Sequence, residues 1–286
     1  LNDYLISVLL GIVEGLTEFL PVSSTAHLRI SEALLHINLA DPYWKMYTIV
    51  IQLGAILALL LIFAARIIQF FRTFPEGEEH NRTIWNHPLT LTMAAFVCTA
   101  IPSFLLTKTI GKHLESLKVM ALALLIGGVV MWVVDVWSDR SDPGTKHVEQ
   151  MSLGQSVWIG LCQVLSAVFP GTSRSMSTIA AGQIVGMSRP AALEFSFLVS
   201  IPTMIAATGY DLLKTLHPKH AEGADAIAPL TMTSHGWIVL AIGFVVSFIV
   251  AYAVVEWFLQ WVRKHGFVPF AVYRIIVGIL LLVRLA

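Results

Sequence analysis

Two short stretches hold most of the side chains that could do chemistry, and both are embedded in apolar sequence. The first reads Glu14-Gly-Leu-Thr-Glu18-Phe-Leu-Pro21-Val-Ser23-Ser24-Thr25-Ala26-His27. A helix places Glu14 and Glu18, four residues apart, on one face. A charge at a helix centre in lipid costs about 2.5–3.5 kcal/mol on insertion scales, and two carboxylates also repel. Such a pair needs a cation, a shared proton or an aqueous cavity. Hard divalent cations take oxygen ligands, and a magnesium ion is often held by one or two carboxylates plus substrate phosphates. Glu14 and Glu18 are the candidate metal ligands. The bland alternative, two glutamates facing water at a helix end, is opposed by the apolar residues on either side.

Ser23 or Ser24 is a natural N-cap for a helix after Pro21. His27 lies one helical turn beyond Ser24, and a hydroxyl beside an imidazole is an arrangement that activates a nucleophile. Ser23, Ser24 and Thr25 also offer hydroxyls to a phosphate. A lone histidine on an apolar face is usually a satisfied core group, but this one shares a motif with two glutamates.

The second stretch reads Phe169-Pro170-Gly171-Thr172-Ser173-Arg174-Ser175-Met176-Ser177-Thr178. Free N–H groups at a helix start attract an anion, and the dipole adds to this. Gly171 lets the backbone approach closely, and Arg174 presents a planar fork suited to phosphate oxygens. Thr172, Ser173, Ser175 and Thr178 add hydroxyls. One stretch carries acid/base and metal-binding groups, and the other clamps an anion.

Composition says where these stretches must sit. Of 286 residues, 56% are apolar and only 13% charged, against about 25% charged in a soluble domain. This is a membrane protein's composition, and a net charge of zero argues against nucleic acid as a partner. Cys98 and Cys162 lie in separate apolar runs and read as small core residues. Leu1 at the start points to a trimmed native beginning, and nothing there reads as a signal peptide. A crossing helix needs about 20 mostly apolar residues. Runs at 47–66, 88–108, 118–137, 195–213, 235–258 and 268–286 satisfy this. Segments 4–36 and 153–188 do not, being broken by Pro21 and Pro170. Irregular backbone at membrane depth is tolerated only inside protein or beside a watery cavity, so each reads as a re-entrant hairpin. The stretches 74–87, 138–152 and 217–235 read as solvated connections.

The chain also matches itself. At an offset of 149 without gaps, Gly11, Glu14, Leu16 and Pro21 fall on Gly160, Gln163, Leu165 and Pro170. Ser23 and Ser24 then fall on Thr172 and Ser173, while Glu18 and His27 meet Ala167 and Met176. With three spans and one hairpin per half, the halves 1–149 and 150–286 have opposite orientations. The expected fold is therefore an all-α polytopic membrane protein in one integrated domain. It has about six transmembrane helices and two re-entrant helical hairpins in an inverted-topology internal repeat. Lys and Arg divide almost evenly between the two sides, so the positive-inside rule does not orient it.

The motifs Glu-Gly-Leu-Thr-Glu-Phe-Leu-Pro-Val-Ser-Ser-Thr-x-His and Pro-Gly-x-Ser-Arg-Ser-x-x-Thr closely resemble those of the bacterial undecaprenyl-diphosphatase family, linked with bacitracin resistance. Gln52-Leu-Gly and the Glu194-Phe-Ser-Phe-Leu run before Pro202 also look like family features, and the similarity covers nearly the whole chain. The resemblance implies hydrolysis of undecaprenyl diphosphate to the monophosphate, recycling the lipid carrier for peptidoglycan synthesis. It further implies dependence on Mg²⁺ or Ca²⁺, a bacterial inner-membrane location and a site reached from the periplasmic side. Family roles fall on Glu14, Glu18, Ser24, His27, Ser173, Arg174 and Thr178, all present. Ala26 and Met176 stand where glycine is usual, which puts side chains near the site without removing a chemical group.

The attacking group is then Ser24, deprotonated by His27, or a water held by a glutamate and His27. The expected partners are the polyprenyl diphosphate and membrane lipids, with room for a homodimer. The rival class is a secondary transporter or lipid-phosphate flippase, which shares inverted repeats and broken helices. A serine/histidine turn facing an arginine turn suits phosphate chemistry better. An acid-phosphatase-like lipid phosphatase does not fit, because the next histidine after Arg174 is His217, beyond an intervening span.

Overall fold

Most helices begin where a short polar side chain precedes an apolar run. The computed structural model describes residues 2–38, 41–77, 82–106, 116–140, 142–216 and 232–285. Among them are eleven α-helices and the 3₁₀ turn Val148–Gln150; the β pairing found there is one isolated bridge, Thr145 to Met187. Asn2 accepts from Tyr4 N to open α1 (Asp3–Thr17), and Ser23 caps α2 (Ser24–Leu34). Asp41 caps α3 (Pro42–Ile62), whose Pro42 lies in the first turn, where a missing N–H does no harm. Next come α4 (Ala64–Thr73), α5 (Pro88–Leu105), capped by His87 Nδ1, and α6 (Leu117–Ser138). A capping box of Ser152 and Gln155 opens α7 (Leu153–Val168). The chain continues through α8 (Arg174–Ile184), α9 (Arg189–Leu216), α10 (Ser234–His265) and α11 (Val268–Leu285).

Six helices, α3, α5, α6, α9, α10 and α11, are long and apolar enough to cross a membrane, which makes this a multi-pass membrane protein. Three differ in extent from expectation. The span placed at 47–66 runs from Pro42 to Ile62, then breaks at Phe63 and resumes as α4. The cap at Asp41 decides its start, whereas hydropathy slides a window into the apolar head of α4. The span placed at 195–213 begins at Arg189, where Ser188 Oγ accepts from Ala191 N. The span placed at 235–258 continues to His265. Within 138–152, Val148 and Met151 are buried, so that connection is partly packed rather than solvated. Glu78, Glu79 and residues 217–231 lie outside the described residues.

Packing interleaves the two halves of the chain: α1 lies on α10, α7 on α5, and α6 on α11. Small residues make this possible. Gly11 and Gly15 sit on the α10 backbone, where an added Cβ would lie 2.8 Å from Gly243 O and Ser247 O respectively. On α7, a Cβ at Gly160 would come within 2.4 Å of Ala95 O of α5, and Thr99 Oγ1 donates to Gly160 O at 2.7 Å. Lipid is as apolar as leucine, so close backbone approach and such hydroxyl bonds supply much of the cohesion between helices. Gly160→Val is expected to cost about 1–3 kcal/mol by forcing α5 and α7 apart. A lower thermal midpoint in detergent would register it; an unchanged midpoint would refute the contact.

At one end of the bundle, fully buried Asp135 accepts from Gln183 Nε2 (2.9 Å), Arg189 Nε (2.7 Å) and Phe267 N (2.8 Å). This ties α6 to α8, to α9 and to the turn before α11, where Gly266 adopts φ +66°. Large apolar side chains such as Ile126, Val133, Ile249 and Leu280 stay exposed on the outer faces, the surface that a bilayer covers.

Candidate active site

Both proline-marked breaks form turns between short helices: α1 stops at Thr17 before α2, and α7 stops at Val168 before α8. The turns share one backbone pattern. Ser23 has φ 77° and Ser173 φ 71°, a region that serine seldom enters. Each serine caps its helix, Ser23 Oγ accepting from Ala26 N and Ser173 Oγ from Met176 N. Four residues on, His27 Nδ1 donates to Ser23 O (2.7 Å) and Ser177 Oγ donates to Ser173 O (3.0 Å).

Turn geometry therefore matches Ser23 with Ser173, Ser24 with Arg174 and His27 with Ser177. The gap-free offset of 149 is corrected here: the second turn has one more residue between its proline and its capping serine. Sequence comparison slipped because Ser23-Ser24 and Thr172-Ser173 both present adjacent hydroxyls, and only the positive φ singles out the cap.

Ser24 and Arg174 are thus the first residues of α2 and α8, and both reach Glu18. Ser24 Oγ donates to Glu18 Oε2, and Arg174 Nη2 donates to Glu18 Oε1 at 3.3 Å. The Glu18 side chain is 8% exposed and that of Arg174 14%. One turn back, Glu14 is fully buried beside the Glu18 carboxyl, and no group other than that carboxyl hydrogen-bonds to either of its oxygens. Its charged neighbours are Glu18 and Arg174. Arg174 Nη1 is likewise buried and unpartnered. The cluster thus keeps one carboxyl that meets only another carboxyl and one cationic donor in reserve, and buried polar groups in that state are costly unless something else completes them.

A family model described as bacitracin resistance protein BacA matches residues 7–280. The chain belongs to the BacA family. A protein named undecaprenyl-diphosphatase from Koribacter versatilis (strain Ellin345) is 68% identical over 283 residues, 99% of this chain and 98% of its own. Proteins of the same name from Caldanaerobacter subterraneus subsp. tengcongensis and Thermus thermophilus are 40% and 41% identical. These two alignments cover 97% and 94% of this chain, and 94% and 92% of theirs.

Not every candidate residue of this BacA chain faces the cluster. Because Ser23 O can only accept, His27 Nδ1 carries a proton, and in the neutral ring Nε2 accepts from Tyr273 OH at 2.7 Å. The two rings stack at 5.6 Å. The expected Ser24–His27 bond is not formed; the Ser24 hydroxyl goes to Glu18. Ser175 Oγ donates to Leu20 O at 3.0 Å and so bonds one turn to the other. Thr178 Oγ1 bonds to Arg174 O (3.0 Å) and to Ser196 Oγ of α9 (2.6 Å). Thr25 is exposed. Met176 is buried, and Ala26 packs with Met120 and Leu124.

Arg274 escaped the reading of the sequence. Fully buried on α11, it donates to Pro21 O (3.0 Å), Ala123 O (3.1 Å), Gly171 O (3.1 Å) and Thr172 O (2.9 Å). One guanidinium thereby holds carbonyls of both turns, which no helix can satisfy. The signal was available: an arginine within an apolar span is rare and calls for a role.

Proposed function

We propose that this chain hydrolyses undecaprenyl diphosphate to the monophosphate and inorganic phosphate, the activity its relatives are named for, and so recycles the lipid carrier for cell-wall synthesis. The observation that carries this reading is the meeting of Ser24 and Arg174 on Glu18, beside the buried carboxyl group of Glu14. Phosphoryl transfer is mainly a matter of positioning and charge stabilisation. Arg174 Nη1, free and buried, is placed to bind a phosphate oxygen, with the start of α8 behind it. The bond from Ser24 to Glu18 supports Glu18 as the proton acceptor. On one route Ser24 Oγ attacks the terminal phosphorus, its proton passes to Glu18, and the bridging oxygen leaves on the prenyl monophosphate. Water then hydrolyses the phosphoserine. On the other, a water held by Glu18 attacks directly.

Glu14 and Glu18 suit a hard divalent cation, Mg²⁺ or Ca²⁺, because they set two buried carboxyl groups side by side and no other residue hydrogen-bonds to the Glu14 oxygens. Among the described residues no three His, Cys, Asp or Glu side chains gather as a ligand set, so the remaining ligands would be oxygens of phosphate, water, hydroxyl or backbone. Bound there, the cation would offset phosphate charge and polarise the phosphorus. In keeping with the family resemblance, we place the protein in the bacterial inner membrane with its site open to the periplasmic side.

Purified protein is expected to release phosphate from a long-chain polyprenyl diphosphate, to stop in EDTA, and to recover with Mg²⁺ or Ca²⁺. No release from folded protein would sink the phosphatase, and indifference to EDTA would sink the cation. Ser24→Ala is expected to lose about 10²–10⁴ in turnover. Near-normal turnover in that variant would assign the attack to water.

A further inference from the structure

Two consecutive residues of α11 grip the first turn on either side of its strained residue. Arg274 Nη1 donates to Pro21 O at 3.0 Å, and Tyr273 OH donates to His27 Nε2 at 2.7 Å. The Tyr273 and His27 rings lie nearly parallel, 13° apart. Between the two grips stands Ser23, whose φ of 77° persists only where the surroundings impose it. His27 passes the second grip on. Its Nδ1–H and its backbone N–H both donate to Ser23 O, at 2.7 and 3.3 Å. The next residue is Ser24, whose Oγ donates to Glu18 Oε2. At the second turn the matching carbonyl, Ser173 O, accepts from Ser177 Oγ, a short side chain of the same helix. Gly171, with φ 94°, supplies the bend there. The first turn has no glycine between Glu18 and Ser24. It uses an imidazole in place of the hydroxyl, with the far nitrogen fixed from α11.

We infer that Tyr273 is a positioning residue of the reaction: through the His27 ring it holds the Ser23 carbonyl, and so keeps the Ser24 hydroxyl aimed at Glu18. The inference rests on the phosphatase reading and adds to it a residue outside the cluster of Glu14, Glu18, Ser24 and Arg174. Both ring nitrogens of His27 are taken, Nδ1–H by Ser23 O and the Nε2 lone pair by Tyr273. The imidazole keeps no lone pair for Ser24 and serves as a strut between α11 and the turn. Losing the strut disturbs the alignment of reacting groups, which lowers turnover and leaves substrate binding in place.

Tyr273→Phe keeps the ring and removes the hydroxyl. With a long-chain polyprenyl diphosphate its kcat is expected to fall about 3–10-fold, the worth of one hydrogen bond, with KM and thermal midpoint near wild type. A wild-type kcat, or a change confined to KM, would overturn the inference. His27→Asn supplies the rescue, since its amide nitrogen stands where Nδ1 does and still donates to Ser23 O. It should stay within about tenfold of wild-type kcat, well above His27→Ala. Equal loss in both would make the imidazole the base for Ser24, a role worth about 10²–10⁴, and the strut would fall. Adding Tyr273→Phe to His27→Asn should change nothing further, because asparagine is too short to reach the tyrosine. A second fall of the same size would give Tyr273 a separate task and overturn the inference. Nitrogen NMR on histidine-labelled protein needs no turnover. It should show a neutral ring protonated at Nδ1, absent from His27→Asn, whose Nε2 signal moves in Tyr273→Phe; an unmoved signal would overturn the pairing. Wild-type protein that releases no phosphate would fail the phosphatase reading instead, and the NMR would still decide whether Tyr273 holds His27.

Discussion

Arg174→Ala should lower phosphate release by about 10²–10³-fold, the usual effect of removing one preorganised donor from a charge-stabilising site. On the proposed mechanism this residue has two tasks. Nη2 binds Glu18 Oε1, and Nη1 remains buried and free for a phosphate oxygen. Removing the side chain takes away the donor and leaves Glu18 held by Ser24 alone, a carboxylate without its cation. Arg174→Lys separates the two effects, since lysine keeps the charge and loses the planar fork. It should recover part of the activity and stay at least about tenfold below wild type. Turnover and KM measured separately, with the thermal midpoint as a check on folding, test this. Near-normal turnover in folded Arg174→Ala would remove the second turn from the reaction.

Arg274→Met should be the most destabilising single change considered. It strips donors from the carbonyls of Pro21, Gly171 and Thr172 in the two turns, and a second bond from Ala123 O within α6. An unsatisfied buried acceptor costs about 1–3 kcal/mol, so a total of roughly 4 kcal/mol or more is expected. Gly127 lies against the same guanidinium, so methionine would also leave a poorly filled space. The readouts are folded yield and thermal midpoint in detergent, and lost activity should follow lost structure. Arg274→Lys, reaching fewer carbonyls, should fall between. A wild-type midpoint for Arg274→Met would show that the turns keep their shape unaided, and Arg274 would then be no clamp.

What the sequence settled by itself was whatever depends on residue type along a line. Apolar runs of membrane length placed six crossings to within a few residues at most ends, because bilayer thickness acts on length and hydropathy alone. Pro21 and Pro170 marked the breaks, since proline removes a donor wherever it stands. Glu14, Glu18, Ser24 and Arg174 were legible as a group because charge in apolar sequence needs a reason. Tertiary structure decided what depends on direction and partner. That Ser24 turns to Glu18 and not to His27 follows from a left-handed φ at Ser23, which rotates the start of α2. The same angle at Ser173 puts Arg174, not Ser173, opposite Ser24, a one-residue difference that hydroxyl matching could not detect. Arg274 lies a hundred residues or more from every carbonyl it holds, and no local pattern announces such a bond. Propensity and hydropathy are properties of neighbours in the chain; the site is made by groups that only packing brings together.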